Sequence, residues 1–218
     1  MLIVGCGDVG LRVAGLLRGR SRLMALTSSP GRVRLLRDKG LVPLQGNLDQ
    51  PATLRRLAGL ATRVVHLAPP PGDGGGNWWR DPRTVALLRA LRLRTPPAGL
   101  VYGSTSGVYG DCRGERTAET RAVVAALRRG RAQRVYNAND DTEMRMGDYF
   151  DLAADLYGLA RPPRVARSAA QDSLPLVLLS FMSESRRLDN SRLKRELKLV
   201  LKYPHVGDGL RPGGVQGL

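Results

Sequence analysis

Only two cysteines, Cys6 and Cys112, occur in the 218 residues. Two thiols build neither a disulfide framework nor a four-thiolate zinc site. No apolar run approaches the ~20 residues that span a bilayer, which excludes a helical membrane protein. The chain opens on Met1-Leu2-Ile3-Val4-Gly5 with no basic segment before the apolar run. No secretory leader is therefore expected, and the expected compartment is cytoplasmic. Aromatics are 5% of the residues, too few for the stacking platforms of single-strand nucleic-acid binders. The only histidines are His66 and His205, and neither has neighbours suited to metal or triad chemistry.

Lysine is scarce as well, supplying four of the 35 basic residues, so 31 are arginine. Against 19 acidic residues the net charge is +16, a balance that fits a polyanion binder. The arginines are dispersed singly or in pairs, however. Arg, Ala, Gly, Pro and Leu are high together, as GC-rich coding produces. Weak adhesion to polyanions is expected; no specific nucleic-acid partner and no membrane partner is. With 42% hydrophobic and 25% charged residues, the composition is that of a soluble globular protein.

Strand and helix patterns alternate along the first half. Leu2 to Val4, Leu23 to Thr27, Leu41 to Leu44, Val64 to Leu67 and Leu100 to Tyr102 are short apolar runs bounded by turn residues. Between them, residues 8–19, 32–39, 51–60 and 83–93 have helical spacing. Strands separated by helices of about ten residues form a parallel sheet with crossover helices. The expected fold is α/β, a Rossmann-type doubly wound parallel sheet over residues 1–140, with a small, mostly helical C-terminal piece over 141–218. Pro69 to Trp79 reads as a surface loop whose tryptophans pack onto the next helix, the alternative being a lid whose indoles cover a ligand at the sheet edge.

Gly5-Cys6-Gly7-Asp8-Val9-Gly10 has the form G-x-G-x-x-G, and it follows a strand and opens a helix, the context the motif requires. Gly5 permits the tight turn, Gly7 lets a pyrophosphate approach the backbone, and Gly10 lets helix and strand pack closely. The helix start adds free N–H groups and positive potential. An NAD-preferring site places a carboxylate about 20 residues on, at the end of the second strand. Here Thr27, Ser28 and Ser29 stand there, with Arg32 one turn later. Hydroxyls and a guanidinium suit a 2′-phosphate, so NADP is expected over NAD; the competing reading is that Arg32 is a plain helix-surface arginine, which leaves NAD open.

Further segments occur in order: Gly46-Asn47-Leu48-Asp49, His66-Leu67-Ala68-Pro69, and Ser104-Thr105-Ser106-Gly107-Val108-Tyr109-Gly110. With the glycine motif, this series resembles the extended short-chain dehydrogenase/reductase superfamily, of the NAD(P)-dependent epimerase/dehydratase type, and most resembles its small atypical bacterial branch. Arg134 to Ala138 resembles a later strand of that family. Leu188 to Lys194 and Tyr203 to Leu210 resemble its C-terminal end. The resemblance implies an oxidoreductase or epimerase acting on a carbonyl, hydroxyl or nucleotide-sugar-like small molecule. It implies that Gly5, Gly7, Asp8, Val9 and Gly10 wrap the pyrophosphate, and that Thr27, Ser28 and Arg32 face the adenosine ribose. Asn47, where the family usually has Asp, and Leu48 would border the adenine. Leu67, Ala68 and Pro69 would line the nicotinamide ribose, and Thr105 would take the place of the catalytic Ser or Thr.

The family's Tyr-x-x-x-Lys pair is missing. Four residues after Tyr102, Tyr109, Tyr136, Tyr149, Tyr157 and Tyr203 stand Ser106, Arg113, Asp140, Ala153, Arg161 and Gly207. Tyr157 with Arg161 is the nearest mimic, but Pro162 and Pro163 stop any helix there. Glu119-Thr120-Arg121 resembles the text just before the family's catalytic helix, whereas Ala122 to Leu127 resembles a helix that comes much later. The resemblance thus implies an internal deletion with its junction near 121–123. Loss of a strand there would bare a sheet edge and favour a homodimer. In the C-terminal piece, 144–156 and 191–202 read as helices, the latter basic and amphipathic, and 174–182 as an apolar segment that packs. Asp140, Asp141 and Glu143 read as a turn and helix cap rather than a metal site.

Overall fold

The computed structural model describes residues 1–71, 81–103, 117–166, 169 and 188–210, with only the backbone described at 117–119. Five parallel strands form one sheet: β1 (Leu2–Val4), β2 (Met24–Thr27), β3 (Val42–Gln45), β4 (Arg63–His66) and β5 (Gly99–Tyr102). Their order is β3-β2-β1-β4-β5, with Ile3 opposite Ala25 on one side and Val65 on the other.

The central strands are apolar on both faces because both faces are covered. Alternation sends Leu2, Val4, Met24, Leu26 and Val64 to one layer. There they meet Leu54 and Leu57 of a 3-10 helix (Pro51–Leu57) and Ala86, Leu87, Ala90 and Leu91 of α3 (Pro82–Leu91). Ile3, Ala25 and Val65 face the opposite layer, built by Val13, Ala14 and Leu17 of α1 (Asp8–Leu17), Leu36 of α2 (Arg32–Asp38) and Val124 and Leu127 of α4 (Thr117–Arg129). The sheet is doubly wound as the sequence predicts.

Three local expectations change. The helix expected over 51–60 is a 3-10 helix ending at Leu57. Its two buried leucines are three residues apart, the period at which 3-10 side chains eclipse, and Gly59 at φ +73° ends it. Arg134 to Ala138 is not a strand: Val135 is exposed, and Arg134 instead clamps Glu196 through two bonds of 2.6 and 3.2 Å. The helix expected over 191–202 stops at Arg195. Lys198 takes φ +54°, and the Leu197 carbonyl accepts from the Arg129 guanidinium at 2.8 Å.

The chain divides into two compact units, Met1–Val135 with Glu196–Leu199, and Tyr136–Arg195 with Val200–Leu218. The second contains α5 (Met146–Tyr157), which Gly158 caps at φ +63°, and the short α6 (Ser191–Arg195) and α7 (Val206–Leu210). The boundary predicted at 140 falls inside it. Asn190 is buried there and its amide donates to the carbonyls of Asn139 and Asp140 and to the Asp141 carboxylate. Lys194 reaches the same carboxylate at 2.5 Å, and Val206 N–H donates to Thr142 Oγ1 at 2.7 Å. These bonds fasten three separate stretches of chain together. Residues 174–182 lie outside the described residues.

Candidate functional site

A crevice of about 470 Å3 opens at the carboxyl ends of β1, β2, β3 and β4, wholly within the first unit. This is where an open α/β sheet reverses its strand order and binds ligands.

The glycine loop forms its floor, and each glycine has a different physical reason. Gly5 sits at φ +82°, and a Cβ there would lie 2.2 Å from Ala68 N, so the β1 and β4 loops touch through this residue. At Gly7 a Cβ would meet nothing within 4 Å: the space beside this backbone is open, and it belongs to the crevice. At Gly10 a Cβ would stand 3.0 Å from the Gly5 carbonyl oxygen, so helix and strand are in close contact. Gly7 is also the N-cap of α1 and supplies no side-chain cap. The first N–H groups of the helix are thus left without intrahelical partners, beside a cavity with room for an anion. Asp8, Val9 and Gly10 do not line that cavity. Asp8 pairs with Arg12 at 3.0 Å, and Val9 packs on the core.

One wall is the β2–α2 turn. Thr27, Ser28, Ser29 and Arg32 all line the crevice. Thr27 Oγ1 accepts from the Ser29 N–H at 3.2 Å, which fixes the turn. Arg32 reaches back to donate to the Cys6 carbonyl at 2.8 Å, bringing a guanidinium to the glycine loop. Burial pushes the Cys6 thiol up, with Arg32 pulling the other way, so the thiol stays protonated at neutral pH.

The opposite wall is the turn after β3. Asn47 Oδ1 accepts from the Asp49 N–H at 3.0 Å, and the Asn47 N–H donates to Thr53 Oγ1 at 2.9 Å. Its acceptor is consumed by its own turn. Leu48 is partly buried against the core. Leu67, Ala68 and Pro69 line the β4 side.

Sequence reasoning missed Arg83. From the start of α3 it grips Asp49 through two bonds of 2.8 Å and donates to the Pro69 carbonyl at 3.1 Å. The guanidinium holds the Asp49 carboxyl below the usual carboxylate range. Arg83 joins two crevice loops, one 34 and the other 14 residues away, and no local pattern marks such a partner. Thr105 and the Gly72–Trp79 stretch lie outside the described residues.

Beside the crevice, at the end of β4, His66 is fully buried on the α3 layer. Its Nε2 is 2.9 Å from Thr84 Oγ1, which in turn donates to Asp81. Tyr102 of β5 meets its ring edge-on, with centroids 5.3 Å apart. Among the described residues the crevice lining includes no tyrosine, lysine or histidine. No group of metal-ligating side chains and no helix long and apolar enough to cross a membrane occurs among them either.

The chain resembles several solved structures along nearly its whole length. Triphenylmethane reductase from Citrobacter sp., solved with NADP(H), superposes with a TM-score of 0.69 at 13% identity, covering 96% of this chain and 98% of that one. The NADPH-dependent quinone oxidoreductase of Escherichia coli gives 0.66 at 15%, covering 96% and 98%. A nucleoside-diphosphate-sugar epimerase from Pseudomonas aeruginosa gives 0.63 at 18%, covering 96% and 94%. No curated protein matches by sequence. Likeness at such identities is likeness of fold: Rossmann-type, shared with reductases and an epimerase. Residues 1–68 match the TrkA-N domain, an NAD(P)-binding Rossmann domain, and all of the crevice lining but Pro69 and Arg83 falls within them.

Proposed function

We propose that this protein binds NADP(H) in the crevice, in preference to NAD(H), and that it descends from extended short-chain reductases or epimerases whose turnover it has largely lost. The open space at Gly7, beside a helix start with unpartnered N–H groups, carries the binding reading. The pyrophosphate would lie over Gly7, the adenosine ribose against Thr27, Ser28 and Arg32, and the adenine near Asn47 and Leu48. The absence of a carboxylate at the end of β2, with Arg32 beside the glycine loop, supports a 2′-phosphate there.

Loss of turnover is supported by the handedness of the chain after β5. A right-handed crossover leading outward from β5 would place its helix on the α3 layer. The next helix, α4, packs instead on α1. Only 14 residues separate β5 from α4, against the roughly 30 of a strand-and-crossover unit. The catalytic helix and the strand after it have no room there. A positioned acid–base group contributes 10²–10⁴-fold, and Thr105 polarises a carbonyl without supplying a proton at neutral pH. The ancestral substrate would be a carbonyl, hydroxyl or nucleotide-sugar-like small molecule.

The test is a titration with NADPH and NADH by calorimetry, for the protein and for Gly7→Val. NADPH should bind more tightly than NADH, and the variant should bind neither while keeping its circular-dichroism spectrum. Tight NADH binding with NADPH ignored would overturn the assignment of Arg32. An NADPH-oxidation screen over carbonyl compounds should give little turnover; robust turnover that falls in Thr105→Ala would show that another group replaces the tyrosine.

A further inference from the structure

The net charge of the chain is confined to one half. Residues 1–135 hold 23 of the 35 basic and eight of the 19 acidic residues, while 136–218 hold 12 and 11. Arginine-rich coding would enrich both halves, so composition alone does not explain the imbalance. In the second unit three cations have carboxylate partners: Arg161 pairs with Asp155, Arg164 with Asp148 and Asp151, and Lys194 with Asp141.

The fold gathers many of the first unit's cations at the amino ends of the strands, opposite the crevice. Arg20 and Arg22 precede β2, Lys39 precedes β3, Arg63 opens β4 and Arg94 precedes β5. All are exposed, and none has a carboxylate partner among the described residues. Adjoining turns keep them side by side. Arg18 donates to the Lys39 carbonyl at 2.7 Å, Ala98 N–H donates to the Thr62 carbonyl at 2.8 Å, and a Cβ on Gly59 would lie 3.5 Å from Arg94 Cβ. Strands about 4.8 Å apart make a row roughly 19 Å long across five strands. Helix dipoles favour a cation at a helix end, but they do not account for Arg22 or Arg63 at strand starts.

We propose that this row binds the phosphate backbone of a double-stranded nucleic acid without reading its sequence, independently of the cofactor reading. A line of guanidinium groups matches the linear charge of a polynucleotide, one phosphate per 1.7 Å of duplex axis. Residues 1–71 and 81–101 contain no Phe, Tyr or Trp. The row therefore has no rings to stack unpaired bases and none to seat at a lipid headgroup boundary.

The test is fluorescence anisotropy with a labelled 20-base-pair DNA duplex over a salt series. The protein is compared with Arg20→Glu/Arg22→Glu/Lys39→Glu/Arg94→Glu and with a control of equal charge, Arg34→Glu/Arg55→Glu/Arg56→Glu/Arg121→Glu. The first variant should weaken binding on the order of 100-fold and flatten the slope of log K against log salt by about 3, with NADPH affinity unchanged. The control should retain most of the affinity. Equal losses in both would mean that overall charge alone attracts the duplex, and would overturn the proposal. Absent duplex binding, or binding only to phosphatidylserine vesicles, would overturn it too. If the glutamate variant misfolds by circular dichroism, the same four positions as glutamine supply the slope change.

Discussion

The two units are held together by different kinds of interaction. In the first, Leu2, Ile3, Leu54, Leu57 and Leu87 are fully buried, and His66 is the only fully buried polar side chain among its described residues. Its stability comes from apolar area removed from water, a force without direction. In the second, Asn190, Asp141 and Thr142 tie three stretches of chain through directional bonds, and Phe150, Tyr157 and Leu159 stay exposed. The apolar unit leaves the exposed cations at its strand starts, Arg20, Arg22, Lys39, Arg63 and Arg94, without carboxylate partners among the described residues, and the polar unit pairs Arg161, Arg164 and Lys194. A well-packed core tolerates like-charge repulsion around it; a unit fastened by a few polar bonds has less to set against such repulsion.

Substitutions should separate the two modes, and the largest effect belongs to Gly5. Gly5→Ala places a Cβ 2.2 Å from Ala68 N at a residue with φ +82°. A cost on the order of 4 kcal/mol, or no folded protein at all, is expected, read by urea unfolding. Gly7→Ala, two residues away in open space, should change stability by less than about 0.5 kcal/mol while weakening dinucleotide binding. Leu87→Ala comes next. It removes a fully buried side chain from the α3 layer and should destabilise the first unit by about 2–5 kcal/mol.

Asn190→Ala probes the other mode. It removes a buried amide that donates to two carbonyls and a carboxylate, and about 1–3 kcal/mol is expected. NADPH affinity should not move, since every crevice residue lies in the first unit. A change in affinity equal to that of Gly7→Ala would mean the two units are energetically coupled.

Smaller still is the pH response of His66. Burial lowers its pKa from the ordinary 6.5, with Asp81 acting in the opposite sense. A histidine kept neutral in the fold binds its proton more readily when unfolded. Its contribution is therefore complete above about pH 6.5 and is lost as pH falls from there toward the depressed value. The unfolding midpoint should drop on acidification through this window, and His66→Gln should flatten the dependence. Smallest is Arg161→Ala, which breaks an exposed pair with Asp155. No measurable change in unfolding midpoint is expected, because water screens such pairs.

Much of the first unit was legible in the sequence alone. Short apolar runs between ten-residue helical patterns dictate a parallel sheet, and the glycine spacing dictates a strand–helix turn open to phosphate, because both follow from backbone geometry within a few residues. The 3-10 helix at Pro51–Leu57 was less legible, since leucines three apart fit either helical period until packing selects one. The second unit was mostly opaque: Asn190 and Asp141 are 49 residues apart, and polar bonds leave no periodicity in a sequence. The same holds for Arg83, which closes the crevice wall by gripping Asp49. By itself the sequence determined the sheet, the glycine loop and the missing Tyr-x-x-x-Lys pair, all local patterns. Only the tertiary structure decided which layer α4 joins, which distant side chains wall the crevice, and that cations scattered along the chain gather at one edge. A parallel sheet brings every strand start to the same end, whatever the distance between them along the chain.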